Sequence, residues 1–587
     1  MNNSEISKVF ADIASLLQAK GDSPFKIRAY QRAADAAANL SYDLSSIADD
    51  EEKLGDIPGF GDAIVSKVQE LVKTGRLEYF DNLKGEFPPG VLLLMNVHGI
   101  GPKMALRAAT DLGIETIDDL VASIESGAFG KLPRVGEKTA QNILRHLKVR
   151  IGQGERVPIG IALPAAERVM AELTERCPGI RNLTYAGSLR RGRETIGDID
   201  LVCTADTPAE VTAAFVDLPA VRDVIGHGDT KASVVVEGGL QVDLRVVDEQ
   251  SFAATLLYFT GSQRHSIRLR ERAQKMGLSL NEYGLTNVKT DKLEQFPTEE
   301  AVYKRLGLAF IPPEMREDSG EVEAAQHDQV PPVIDTAQIR GDLHSHTDWS
   351  DGKATLEEMV DTARKLGREY LAITDHSPSA TVANGLSVER LVEHNKAVQK
   401  LDAGLDDIQL LLGTEMDILP DGSLDYPDDV LSELDVVLGS IHSAMEQDGA
   451  TMTARIIKAM QNPHLDIIAH LTTRLIMRGR APVDMDVDAV FEAAVKTGAI
   501  LEINASPHRL DLKDTHVRRA RDMGVIFAIS TDAHRPGEFG NMRYGVTTAR
   551  RGWCEGWRVI NALPFEDLKE LLSAPKGERY AMMQRRA

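Results

Sequence analysis

Apolar and polar positions alternate with a period of two along 198–204 (DIDLVCT) and 240–247 (LQVDLRVV), which predicts half-buried strands. In the first, Ile199 and Leu201 turn toward a core while Asp198 and Asp200 project together on the opposite face. The second follows ASVVVE at 232–237 with Gly238-Gly239 between, the signature of a tight hairpin, so Asp243 is expected beside the first pair. Toward the N-terminus the period is helical, with alanine-rich faces over 4–19 and 29–39. Toward the C-terminus short apolar runs at 370–374, 409–412, 436–440, 466–469, 499–503 and 525–530 alternate with helical stretches, which argues a parallel sheet or barrel.

Glycines punctuate the N-terminal helices at 54–71 (Pro58-Gly59-Phe60-Gly61), at 97–108 (VHGIGPKMALRA, with Gly99 and Gly101) and more loosely at 132–146. Such hairpins expose backbone N–H groups at a helix N-terminus, where a DNA phosphate can bind without its sequence being read. Three copies make a helix-hairpin-helix pattern. Residues 312–338, rich in Pro, acids and small side chains and without an apolar period, read as an extended linker.

Charge and cysteines narrow the setting. A formal net charge of -22 runs against phosphate binding, but the basic run at 264–275 (RHSIRLRERAQK) shows that local patches decide the matter. Cys177, Cys203 and Cys554, odd in number and widely spaced, make neither a disulfide framework nor a thiolate zinc site, which points to a reducing cytoplasm. No apolar run approaches the ~20 residues of a membrane span, and the N-terminus has no signal-peptide core.

Two stretches carry chemistry. The first, 185–203 (YAGSLRRGRETIGDIDLVC), sets Gly187-Ser188 in a strand-to-helix turn, then Arg190, Arg191 and Arg193, then Gly197 and the Asp198/Asp200 pair. Carboxylates so placed can bridge two divalent cations about 4 Å apart, as phosphoryl transfer requires. The second, 342–352 (DLHSHTDWSDG), places His344 and His346 two apart with Asp351 close behind. After the apolar runs that follow come Asp375-His376, Glu415, His442, His470, Asn504 and Asp532-Ala533-His534. In βα barrels such strand-end residues converge in one mouth. An imidazole and carboxylate set without thiolate suits zinc, manganese or iron.

GSLRRGRETIGDID, with YFTGSQRHSIRLRERA and LSLNEYGL downstream, resembles the nucleotidyltransferase core and thumb of the family X DNA polymerases in their polymerase beta form. The resemblance implies Asp198, Asp200 and Asp243 as metal carboxylates, with Asp243 also taking the primer 3′-hydroxyl proton. It implies Gly187, Ser188, Arg191 and Gly197 at the triphosphate, Tyr258 and Gly261 at the sugar, and Arg270 toward the template. Gly59, Gly61, Gly99, Gly101 and Lys231 would contact DNA. Gln241 and Ser266 depart from the Arg and Asn of animal relatives. Lys67 aligns with a lyase lysine, and Lys26 and Tyr30 with phosphate-side residues, although Ala63 replaces an assisting lysine.

The second half resembles the PHP (polymerase and histidinol phosphatase) domain, and His344, His346, Asp351, His376, Glu415, His442, His470, Asp532 and His534 match its ligand positions. Asn504, Arg474 and Arg509 are candidates for phosphate contacts, although AHLTTRLIMRGR at 469–480 departs from the usual local sequence.

The expectation is therefore a multidomain chain. A helical DNA- and 5′-phosphate-binding domain covers 1–85 and a helix-hairpin-helix fingers-type domain 86–150. An α+β nucleotidyltransferase palm covers 151–255, a thumb 256–313 and a linker 314–338. An α/β PHP distorted barrel covers 339–575 and a tail 576–587. The expected function is a gap-filling, DNA-templated polymerase with a PHP 3′–5′ exonuclease and an abasic-site endonuclease, in base-excision repair. Mg2+ or Mn2+ would serve the palm and a trinuclear Zn2+, Mn2+ or Fe site the barrel. Its substrates would be gapped or primed DNA and dNTPs, and it would act in the cytoplasm as a monomer without a membrane partner. Rival readings are a PHP phosphatase with a degenerate polymerase half, and a non-catalytic DNA-end binding protein.

Overall fold

The computed structural model describes all residues except 2, 41–43, 58, 96, 98–99, 134, 138, 141–142, 145–155, 477–479 and 587. Two compact units emerge, Met1–Glu155 with Val221–Gly226 and Val234–Gly239, and Arg156–Ala220 with His227–Ser233 and Leu240–Ala587. Among the described residues no helix is long and apolar enough to cross a membrane.

In the first unit, helix α1 (Asn3–Lys20) buries Ile6, Phe10, Ile13 and Leu17, which recur on one face. Helix α2 (Pro24–Asn39) begins before the expected 29 because Pro24 sits in the first turn, where its missing N–H costs nothing. Helix α3 (Asp62–Thr74) is capped by Gly61 and helix α4 (Pro102–Leu112) by Gly101. Gly59 has φ +100, and an added Cβ would lie 3.3 Å from Arg32 Cβ, so glycine is required for the chain to pass. Pro58, Gly99 and much of the third hairpin lie outside the described residues.

In the second unit, strand β1 (Arg181–Tyr185) leads through Ala186 into the short helix α5 (Gly187–Arg190). Strand β2 (Asp198–Thr204) is antiparallel to β1. Strand β3 (Lys231–Val236) begins in the second unit and ends in the first, at the Gly238-Gly239 turn, where Gly239 N–H donates to Val236 O at 2.9 Å. Strand β4 (Gln241–Val247) then runs parallel to β2, burying Val242, Leu244 and Val246. Helices α6 (Phe252–Thr260) and α7 (Gln263–Lys275) follow, α7 capped by the Ser262 hydroxyl, which accepts from His265 N–H.

The segment expected as an extended linker is folded. It contains a helix at Glu321–Gln326 and buries Met315, Val322, Ala325 and Ile334. Its polarity is spent internally. Glu321 Oε1 lies 2.7 Å from His265 Nδ1. The fully buried Arg316 donates to Glu299 Oε1 at 2.6 Å and Ile311 O at 2.9 Å.

Seven parallel strands follow, each beside its neighbour in the chain. They are β5 (Gly341–Asp342), β6 (Tyr370–Ile373), β7 (Gln409–Asp417), β8 (Val436–Ser440), β9 (Ile467–Ile468), β10 (Ile500–Asn504) and β11 (Phe527–Ser530). The ring closes where the first strand meets the last. Ser345 bridges to Ala533, and Thr531 donates from its N–H and its hydroxyl to Asp342 at 3.1 and 2.5 Å. Asn561 spans that seam, its amide nitrogen donating to Gly341 O at 2.9 Å and Ile529 O at 2.7 Å. Its amide oxygen accepts from Ile529 N–H at 2.9 Å. Helix α8 (Met542–Arg551) packs after β11. The expected tail is also folded, because helix α9 (Lys576–Gln584) buries Tyr580 and Met583. Lys576 Nζ there donates to Met460 O at 2.8 Å and Asn462 O at 2.9 Å.

Candidate metal centres

In the palm the parallel register of β2 and β4 sets Asp200 directly opposite Asp243, and Asp198 opposite Gln241. Neighbours across a parallel pair face the same side, and so do residues two apart on one strand. Asp198, Asp200 and Asp243 therefore share a face. Burial raises the Asp200 pKa to about 7, helped by the like charges of Asp198 and Asp243 and opposed by Arg245 and Arg191. Gln241 Nε2 donates to both oxygens of Asp243 at 3.1 Å, which fixes that carboxylate.

Gly187 approaches this face closely. Its φ is +59, and an added Cβ would stand 2.3 Å from Asp200 Oδ2. Ser188 is half-buried in the same turn and Gly197 is exposed at the start of β2. Arg191 differs from expectation. Its Nε donates to Glu317 Oε1 at 3.1 Å and its NH1 to Thr260 O at 2.5 Å, so the guanidinium braces the palm turn against the thumb rather than projecting outward. Arg190 is likewise structural, held by Thr260 and by Glu299, with NH2 to Oε2 at 2.6 Å.

Sequence reasoning missed Arg156. It donates to Thr195 Oγ1 at 3.0 Å and interacts electrostatically with Asp198. Its sequence signal was a lone Arg at the start of the palm. Beyond Gly261, at φ +67, a shallow cleft is lined by Leu257, Tyr258, Ser266, Arg270, Leu280 and Asn281. Tyr258 is 40% exposed there, open to a ligand. Lys231 stands exposed at the start of β3.

In the first unit Lys67 Nζ lies 5.1 Å from the centre of the Tyr79 ring, which stacks on Tyr30, and Lys26 Nζ lies 5.4 Å from the same ring. Burial, seconded by Lys26, pushes the Lys67 amine below its ordinary value.

In the barrel all nine expected residues meet. His346, Asp351, His376 and His534 form one group with donor atoms within 4.8 Å of one another. His344, His346, Glu415 and Asp532 form a second, and His376, Glu415 and His442 a third. His470 joins through Nε2, 2.7 Å from Glu415 Oε1. Glu415 is the hub, with His376 at 3.1 Å, His442 at 3.3 Å, and His344 and His346 each at 3.4 Å. Burial alone would raise its pKa, but the imidazoles of His376, His442 and His344 hold it well below the carboxylate range.

The donor set fits cations. His344 Nε2 and His346 Nε2 lie 3.1 Å apart, two ring nitrogens aimed at one point. The Nδ1 atoms of His346 and His470 are buried without a hydrogen-bond partner. Strain collects at the mouth, with His470 at φ +28 and Asp532 at φ +55.

Residues behind the ligands orient them. Glu502 Oε1 is 2.7 Å from His344 Nδ1, and Asp417 Oδ1 is 2.6 Å from His442 Nδ1. Neither was anticipated, although an acid inside an apolar strand is the available signal. Asn504 Nδ2 donates to Glu502 and Asp532 at 3.1 Å each. Arg509 Nε lies 3.5 Å from Asp532, and its NH1 is buried without a partner. Arg474 is committed to Glu194 of the palm at 2.8 Å and to Leu510 O.

Known families match several stretches of the chain. A helix-hairpin-helix domain family matches 1–77, a SAM-like helix-hairpin-helix tandem 91–148, a DNA polymerase beta thumb 255–317 and a PHP domain 342–506. The barrel alone is similar to a probable phosphatase of Thermoanaerobacter sp. (strain X514), 31% identical over 247 residues, 40% of this chain and 95% of the relative. A probable phosphatase of Caldanaerobacter subterraneus is 29% identical over 205 residues, 33% of this chain and 75% of its own. The DNA polymerase/3'-5' exonuclease PolX of Bacillus subtilis (strain 168) is 40% identical over 574 residues, 97% of this chain and 99% of the relative. Likeness over nearly the full length of both chains, in a chain whose polymerase beta thumb is followed by a PHP domain, places this protein in the PolX family of bacterial family X DNA polymerases.

Proposed function

We propose that the chain is a DNA-templated DNA polymerase with its nucleotidyl-transfer site in the palm and a 3′–5′ exonuclease in the barrel. The observation that carries this is the register of β2 and β4, which puts Asp200 opposite Asp243 with Asp198 on the same face. Divalent cations, when bound, neutralise phosphate charge and lower the pKa of the attacking oxygen. Asp198, Asp200 and Asp243 would hold them in the palm, as Mg2+ or Mn2+, and the nine barrel donors would hold Zn2+, Mn2+ or Fe.

The protein's own groups do the rest. Asp243, pinned by Gln241, faces the primer 3′-hydroxyl and accepts its proton. Gly187 lets Asp200 sit tight against the turn, where Ser188 and Arg156 meet the triphosphate. Tyr258 and Gly261 wall the sugar, and Arg270 lines the cleft on the template side. In the barrel, Arg509 offers a free N–H to the phosphate of a 3′-terminal nucleotide. The glycine hairpins grip DNA without reading sequence. Gap filling in base-excision repair, in the cytoplasm and as a monomer, suits this pairing of synthesis with trimming, and an abasic-site endonuclease would use the same barrel.

A gapped duplex with dNTPs and manganese tests the assignment. Asp198→Ala should abolish extension and keep trimming, and His344→Ala should do the reverse. Loss of both reactions in either variant, or of neither, refutes the division. A second chemistry has its own support: the depressed Lys67 amine beside Lys26, Tyr30 and Tyr79 suits Schiff-base formation with a 5′-deoxyribose phosphate. Borohydride trapping decides it, and absence of an adduct at Lys67 removes the lyase.

A further inference from the structure

The palm turn 187–193 does not stand alone. Arg551, the last residue of α8 in the barrel domain, reaches it with a side chain only 5% exposed. Its NH1 donates to Arg191 O at 2.6 Å and to Glu317 Oε1 at 3.1 Å, and its Nε donates to Asp514 Oδ2 at 2.8 Å. Glu317 Oε1 also accepts from Arg191 Nε at 3.1 Å, and Arg191 NH1 in turn donates to Thr260 O, next to Gly261. One guanidinium from the barrel therefore holds both the main chain and, through Glu317, the side chain of the residue that ties the palm turn to the thumb turn. The surfaces interlock tightly here. Gly192 has φ +63, and an added Cβ would meet Thr547 Cγ2 of α8 at 2.0 Å. Gly160 faces Pro507 in the same way, at 2.5 Å.

We infer that Arg551 is a positioning residue for nucleotidyl transfer: the exonuclease domain supplies the brace that keeps the nucleotide cradle of the polymerase in shape. The inference rests on the assignment of the 187–193 and 258–261 turns to the incoming nucleotide. It makes the barrel part of the polymerase irrespective of trimming. A guanidinium suits the task because its planar fork serves three acceptors at once, which an ammonium cannot do in one geometry.

The test measures single-nucleotide incorporation into a gapped duplex against dNTP concentration, for the full-length chain and for Arg551→Met, Arg551→Lys and Glu317→Gln. The same preparations are assayed for 3′ trimming, gapped-DNA affinity and thermal melting. Arg551→Met should raise the dNTP KM about tenfold, as expected for loss of a charged hydrogen-bond network, with trimming and DNA affinity at the parent level. Arg551→Lys should fall between. The Arg551→Met/Glu317→Gln double variant should be no worse than the poorer single, since both act through Arg191. An Arg551→Met chain that melts and trims like the parent and keeps the parent dNTP KM overturns the inference. If that variant fails to fold, Glu317→Gln, which leaves the Arg551–Asp514 pair in place, carries the test, and an unchanged KM there overturns it equally. A parent that does not extend primers removes the nucleotide assignment and the inference together. Extension that is lost in Asp198→Ala yet unmoved in Arg551→Met defeats the inference alone.

Discussion

Gly187→Ala is the sharpest single perturbation of the palm. Two effects follow from the geometry. At φ +59 an L side chain is strained, at a cost of about 1–2 kcal/mol. The new Cβ would also lie 2.3 Å from Asp200 Oδ2, where ordinary contact begins at 3.4 Å, so the carboxylate must retreat by about 1.1 Å. A displacement of about 1 Å in a catalytic group costs about 10²-fold in rate. Single-turnover extension of a gapped duplex at saturating dNTP should therefore fall about 100-fold. Trimming by the same preparation should stay at the parent rate, which shows that the chain has folded. Extension at more than about a third of the parent rate would refute the claim that Asp200 is held by the absence of a side chain at position 187.

Removing the hub carboxylate with Glu415→Gln should abolish trimming and lower the bound metal per chain, measured by elemental analysis, while extension persists. Gln241→Ala deletes both hydrogen bonds to Asp243 and should slow extension about tenfold without changing gapped-DNA affinity. Burial alone would raise the Glu299 pKa, but Arg316 and Arg190 hold it down to about 2 from its ordinary 4.5. A carboxylate depressed on folding contributes stability above its unfolded pKa and loses it as pH falls through the folded one. The parent should therefore lose urea resistance between about pH 4.5 and 2 more steeply than Glu299→Gln, and equal slopes would deny that ion pair any weight. Chelation followed by dialysis should silence both activities, each returning on manganese addition.

What could be read from the chain and what could not divides along physical lines. The side-by-side projection of Asp198 and Asp200 is a consequence of a period-two strand and needs no tertiary information. The Gly-Gly turn announced a hairpin that brings Asp243 into the sheet, while its place opposite Asp200 depends on the parallel pairing of β2 with β4, a tertiary contact. His344, His346 and Asp351 were visible as a close-set cluster, and the other barrel ligands because they follow apolar runs, since parallel strands deliver their ends to one mouth. Glu502 escaped notice because it lies inside β10, where an acid reads as an interruption until its imidazole partner is seen, and Asp417 because it stands two residues past Glu415 at the end of β7, where its partner His442 is distant in sequence. The fate of Arg191 and Arg474 was hidden for another reason: an arginine in a phosphate-binding motif looks the same whether it meets phosphate or, as here, Glu317 and Glu194. The 314–338 segment misled because its apolar residues are few and spread through acids. Those acids are consumed by buried partners, as Glu321 is by His265.

The Asn561 amide at the barrel seam links residues that belong to opposite ends of the domain's chain. His344 and His346 hang from the strand on one side of the seam, and Asp532 and His534 from the strand on the other. A short carboxamide, reached only after the last ligand has been threaded, thus sets how far apart the two halves of the cage stand. The cage is consequently unfinished until the chain has run well past its final histidine, so a fragment ending soon after His534 would carry every ligand and still lack the keystone.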